Sequence, residues 1–131
     1  MFIRFVSTRK NILDGSREGI FQTAYLVVRD PMTPFFDAQS IKDHLEWFRI
    51  HLAVPGSFSR TGSKGAHWRK TRGLSWFKPT ATEHISRAFA LTDLLKENGC
   101  FISLLRTNRP GFILYEDEFQ IVAEPFAETR V

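Results

Sequence analysis

Residues 74–124 read LSWFKPTATEHISRAFALTDLLKENGCFISLLRTNRPGFILYEDEFQIVAE. A short apolar run, Leu74 to Lys78, predicts a strand, and Pro79 interrupts it. Thr80-Ala81-Thr82-Glu83 then has the pattern of a capping box, with Thr80 as the helix cap and Glu83 in the first turn. Ile85, Ala88, Phe89, Thr92 and Leu95 recur at helical spacing and predict the buried stripe, and Asn98-Gly99 supplies the stop. Three apolar runs follow: Cys100 to Arg106, Phe112 to Glu116 and Phe119 to Glu124. Asn108-Arg109-Pro110-Gly111 is the turn between the first two. The last two predict an antiparallel hairpin through Asp117-Glu118. Because that pair lacks the usual turn glycine, a single bulged strand is the competing reading.

Working outward, Phe2 to Val6 alternates as a strand does, and Asn11 to Ser16 predicts a loop. Ile20, Phe21, Ala24, Tyr25 and Val28 predict a helix, with Ser16 as its cap and Asp30-Pro31 as its end. Residues 31–39 predict a packed loop containing Phe35 and Phe36. Ser40 and Asp43 then open a second helix with the stripe Ile41, Leu45, Phe48 and Leu52, ending before Pro55-Gly56. Residues 56–73 show no period and predict a long loop. The order of elements predicts an α+β fold: a two-layer sandwich with a mostly antiparallel sheet and helices packed on one face. At 131 residues the chain fits a single domain.

Composition narrows the class. Hydrophobic residues at 43% and charged residues at 24% match ordinary globular usage and argue against disorder. A single cysteine excludes an intramolecular disulfide and a multi-cysteine zinc site, and it suits a reducing compartment. No apolar run approaches the roughly 18 residues of a membrane span, and Met1-Phe2-Ile3-Arg4-Phe5 is not the start of a signal peptide. The expectation is a cytoplasmic protein with no membrane partner and no cofactor.

The net charge of +4 hides a segregation. Residues 1–46 carry six basic and six acidic side chains; residues 47–82 carry seven basic ones and no acid; residues 116–131 stand at −4. Such asymmetry predicts one surface that meets a polyanion, or a basic segment folded against an acidic one. Arg60, Lys64, Arg69, Lys70 and Arg72 are the candidates to neutralise phosphates, and Trp68 to stack on an unpaired base. Lys78 and Thr80 are candidates for an anion cradle at the start of the helix near residue 80. Gly62-Ser63-Lys64 has no upstream glycine at the spacing of a phosphate-binding Walker loop.

Other constellations carry less chemistry. His44 and His51 are seven apart on a helix, about 10 Å along its axis, too far to share one metal ion. They predict partly buried, hydrogen-bonded histidines. Cys100 opens an apolar strand and reads as a small core residue. Glu116, Asp117 and Glu118 lack the lysine two residues on that metal nucleases with carboxylates on a hairpin add, so they predict a solvated acidic turn. No metal site and no catalytic set follow.

Trp76-Phe77-Lys78, Arg106 with Arg109-Pro110-Gly111, Tyr115 to Gln120 and Ala123 to Phe126 resemble a group of small uncharacterised bacterial proteins over residues 74–126. The resemblance implies a bacterial or bacteriophage setting and no particular chemistry. The sequence thus predicts a small binding module for nucleic acid or another phosphate-bearing ligand. The first alternative is a protein-interaction subunit or inhibitor whose basic loop meets an acidic protein partner. The second is a metal-independent ribonuclease drawing on His67, Arg69, Arg72, Glu83, His84 or Arg109.

Overall fold

The computed structural model describes residues 1–10, 17–55, 59–61, 68–70 and 73–131, with backbone alone at 10, 59–61 and 68–70. The elements are β1 (Phe2–Lys10), β2 (Arg17–Gly19), α1 (Ile20–Arg29), α2 (Phe35–His51), β3 (Ser59–Thr61), β4 (Trp68–Lys70), β5 (Leu74–Phe77), α3 (Thr82–Glu97), β6 (Ile102–Thr107), β7 (Phe112–Glu116) and β8 (Gln120–Glu124). The fold is α+β, a curled antiparallel sheet with three helices packed on it.

Strand β1 is the axis of the six-stranded sheet. Ile3 lies opposite Arg106 of β6 and Phe77 of β5, and Val6 lies opposite Ser103 of β6 and Gly19 of β2. β5 continues to β8 and β8 to β7, all antiparallel. Because side chains alternate between the two faces of a strand, β1 feeds two cores. Ile3 and Phe5 join Ala24, Ile41, Phe48, Phe77, Leu91 and Leu95 under the helices. Phe2 and Val6 join Trp76, Leu105 and Ile121 on the opposite face.

The expected hairpin at the C-terminal end is present, and its turn chemistry replaces the absent glycine. Asp117 Oδ1 accepts the backbone N–H groups of Phe119 (2.8 Å) and Gln120 (3.0 Å), while Oδ2 accepts the Tyr115 hydroxyl at 2.9 Å. The carboxylate thus supplies the local closure that a primed turn takes from glycine. The register slips between Ile113 and Tyr115, so an irregularity accompanies the hairpin.

Several expectations are corrected. α1 is preceded by β2 and takes Gly19 as its N-cap residue, not Ser16, which lies outside the described residues, as does the rest of the loop 11–16. α2 begins at Phe35, not at Ser40: Pro34 precedes it, and its carbonyl already accepts the Ala38 N–H at 2.9 Å. Phe35 and Phe36 are therefore exposed in a first helical turn (75% and 82%) instead of packed in a loop. The α2 stripe of Ile41, Leu45, Phe48 and Leu52 is buried as expected.

On α3 the buried positions are His84, Ala88, Leu91 and Leu95, so the inward face is rotated from the expected one and Phe89 is partly exposed. His84 stacks on Phe119 and its Nε2 lies 2.8 Å from the His51 carbonyl oxygen. That acceptor requires the proton on Nε2, and it makes burial of an imidazole affordable. Thr80 does not cap α3. The Ala81 N–H closes a turn onto the Lys78 carbonyl, which places the buried Ala81 at the N-cap position with no side-chain cap bond. Within the predicted loop 56–73, β3 and β4 form a two-stranded antiparallel ribbon. Three-residue strands are too short to show a period in sequence.

Gly99 and Gly111 both have positive φ, +80° and +137°. At Gly99 a Cβ meets open space, whereas at Gly111 it collides with the Glu124 carbonyl where β7 leaves the turn. Gly99→Ala is expected to cost about 1 kcal/mol from backbone strain alone. Gly111→Ala is expected to cost clearly more in the same denaturant titration, and equal costs would disprove the close approach.

Candidate anion-binding site

Two cations of the basic segment have partners among the described residues. Arg49 forms a two-pronged hydrogen bond with Glu46 one turn earlier on α2, which holds the Glu46 carboxyl below its ordinary range. Lys78 Nζ lies 2.6 Å from Glu116 of β7. Both cations are thus partnered by acids from outside the segment. At the α3 N-terminus, Lys78 is already neutralised, Thr80 is exposed and not capping, and Glu83 occupies the first turn. The anion cradle expected from Lys78 and Thr80 therefore has no free cation of its own.

The other five basic residues of the segment lie between positions 60 and 72. Arg60, Arg69, Lys70 and Trp68 fall on the ribbon, where the backbone register sets Arg60 opposite Arg69, Ser59 opposite Lys70 and Thr61 opposite Trp68. Lys64 and Arg72, together with His67, lie outside the described residues.

A second basic grouping is absent from the site residues read in sequence. The end of β6, the turn after it and residues 128–130 border an open cleft of about 470 Å³. Arg106, Arg109 and Arg130 line it with Asn108, and Trp76 of β5 lies at its wall. The chain end is held there by Thr129, whose Oγ1 donates to the Arg109 carbonyl (3.3 Å) and accepts the Phe126 N–H (3.1 Å). The Arg109 guanidinium sits 5.2 Å from the Phe126 ring centroid and 3.5 Å from Glu128. Trp76 is 1% exposed, and its indole N–H has no acceptor among the described residues. Arg106 and Arg109 are visible in sequence as a pair three apart. Arg130 and Trp76 join them only through the fold, 24 residues later and 30 earlier than Arg106.

The remaining titratable groups serve the framework. His51 is exposed, with Nδ1 donating to the Trp47 carbonyl at 2.8 Å and its ring stacked on Trp47. His44 is half-buried but not hydrogen-bonded at Nδ1, contrary to expectation; burial and then the Arg87 charge lower its pKa, with Asp43 opposing. Arg87 lies over the Trp47 ring at 4.6 Å. Cys100 is a partly buried neighbour of the helical core. Among the described residues no three His, Cys, Asp or Glu side chains are grouped to hold a metal ion. No helix among them is long and apolar enough to cross a membrane.

Compared with protein-family models, with curated proteins and with solved structures, the chain matches none.

The acidic turn is closed by the hydrogen bonds that Asp117 accepts. Burial raises the Asp117 pKa, but the bonds from the Phe119 N–H, the Tyr115 hydroxyl and Gln120 outweigh it, and the net shift is downward. A carboxyl whose folded pKa is depressed adds stability above its unfolded pKa, near 4, and loses it as pH falls through the folded value. Asp117→Ala is expected to cost about 1–3 kcal/mol at pH 7. The gap to the parent protein should narrow below about pH 4 in parallel urea titrations. A gap independent of pH would show that the carboxylate charge is not what closes the turn.

Proposed function

We propose that the protein is a small binding module for nucleic acid or another phosphate-bearing polyanion, with the β3–β4 ribbon and its flanks as the contact surface. One observation carries the reading. Across residues 47–82 there is no acid, and the two basic residues of that span outside 60–72 are held in internal ion pairs. The other five basic residues of the span lie between positions 60 and 72, where the backbone register of the ribbon sets Arg60 opposite Arg69. Like charges directly opposite on an antiparallel pair are destabilising unless a counter-charge lies between them, and a phosphate backbone supplies one. Trp68 in the same ribbon adds the residue type that stacks on unpaired bases.

Within the enzyme alternative, His84 loses its place, because it is buried with Nε2 bonded to a backbone carbonyl. The protein-interaction alternative gains a specific feature. Met32 in the turn before α2 and Phe35 and Phe36 in its first helical turn are exposed (86%, 75% and 82%), apolar surface that a small monomer has little reason to present to water.

The test is fluorescence anisotropy with short single-stranded RNA, single-stranded DNA and duplex DNA over a salt series, with each end-point run on a gel. A surface that engages four phosphates is expected to give a log–log salt slope of about −3 to −4. Replacing Arg60, Arg69 and Lys70 together with Ala should flatten that slope; binding unchanged by the substitutions would sink the assignment. Strands that remain intact in EDTA separate a binder from a metal-independent nuclease. No binding at low salt, with a stable protein co-purifying, would favour the interaction reading.

A further inference from the structure

We infer that β7 is an edge at which two copies of this chain pair antiparallel, forming a weak homodimer that is independent of the ribbon. The inference rests on the position of the strand, its side chains and the charges at its two ends.

Among the described residues β7 is the last strand in the sheet order and pairs with β8 alone. An edge strand presents a row of N–H and C=O groups on which a further strand can form, and natural edges are blunted with charged side chains, proline or bulges. β6, which likewise pairs with one strand, carries the exposed Arg106 within its run. Phe112 to Tyr115 hold neither a charge nor a proline. The slip in register between Ile113 and Tyr115 is the device that remains, and it keeps the available stretch short.

The side chains favour association. Phe112 and Ile113 are 50% and 56% exposed. As neighbours on a strand they project to opposite faces of the sheet, so an added strand gains apolar contact on both. The Phe112 ring is already positioned, edge-on to Phe126 at 4.7 Å.

The charges select a second copy as the added strand. Arg109, with its side chain 73% exposed, precedes β7, and the exposed Glu118 follows it. Among the described residues Glu118 has no ion-pair partner, and the contact of Arg109 with Glu128 is long at 3.5 Å. A twofold axis perpendicular to the strands makes the pairing antiparallel, so the basic end of each copy meets the acidic end of the other. With the axis between Ile113 and Leu114, Arg109 stands level with Glu118 of the second copy and Phe112 level with its Tyr115. Opposite charges and aromatic pairs across strands are favourable, whereas parallel pairing would set like charges side by side. Five residues from each copy fall short of the roughly 1,200–2,000 Å² of a stable interface, so the dimer forms at high concentration.

Sedimentation equilibrium from about 10 μM to 1 mM tests the inference. The parent protein is expected to shift from monomer toward dimer over that range, and the β7 amide hydrogens to exchange more slowly at the upper end. Ile113→Lys, at an exposed position, should abolish association with an unchanged melting temperature. Arg109→Glu and Glu118→Arg should each weaken association by about fivefold. Combining both in one chain should restore it, as should an equimolar mixture of the two single variants. Association through another exposed apolar face, such as Phe35 and Phe36, would not show that rescue. A monomer at every concentration, a dimer that persists in the folded Ile113→Lys protein, or a double variant that fails to recover would each overturn the inference.

Discussion

Pairing of β1 along both edges is the constraint on which the rest of the molecule depends. Its residues lie between β6 on one side and β5 and β2 on the other, so Ile3 and Val6 each have two cross-strand partners. A strand bonded on both sides cannot slip by one residue without moving every side chain to the wrong face. The alternation of β1 therefore decides which residues meet the helices and which meet Trp76 on the opposite face. The cleft beside Trp76 lies where β6 ends at Thr107, opposite Phe2, and the turn at residues 108–111 begins.

A buried polar junction ties the helical layer to the C-terminal hairpin. Gln120 is 1% exposed, and both ends of its amide are bonded: Oε1 accepts the Ser75 hydroxyl at 2.6 Å, and Nε2 donates to the Ala53 carbonyl at 2.7 Å. Nε2 also reaches Asp117 at 3.2 Å, so one side chain links β5, the chain after α2 and the hairpin turn. His84 performs a similar service for α3 by bonding the His51 carbonyl at the end of α2. Buried amides and imidazoles are tolerated when every polar atom finds a partner, and they then fix one arrangement of their neighbours.

Charge is distributed by the same logic. Glu116 leaves the acidic turn to neutralise Lys78, and Glu46 holds Arg49. Acidic residues that might have offset the basic segment as a whole instead pair at its two margins. The other basic residues of the segment lie between positions 60 and 72, and Arg106, Arg109 and Arg130 border one cleft. Concentrated charge of one sign costs folding free energy through self-repulsion and is repaid when an anion binds.

The periodic parts of the fold were legible in the chain. Ile41, Leu45, Phe48 and Leu52 announce the inward face of α2, Asp30-Pro31 the end of α1 and Asn98-Gly99 the end of α3, because apolar spacing and backbone restriction act locally. The start of α2 at Phe35 was not, since exposed phenylalanines imitate a packed loop. Nor was the inward turn of His84, whose acceptor is a carbonyl 33 residues away. By itself the sequence determined the α+β class, the strand and helix inventory of its C-terminal half and the segregation of charge. Tertiary structure alone decided which cations are cancelled and which converge, because ion pairing and cavity formation depend on distances between residues far apart in the chain. Lys78 meets Glu116 across 38 residues, and Arg130 borders the same cleft as Arg106 only through the fold of the C-terminal segment.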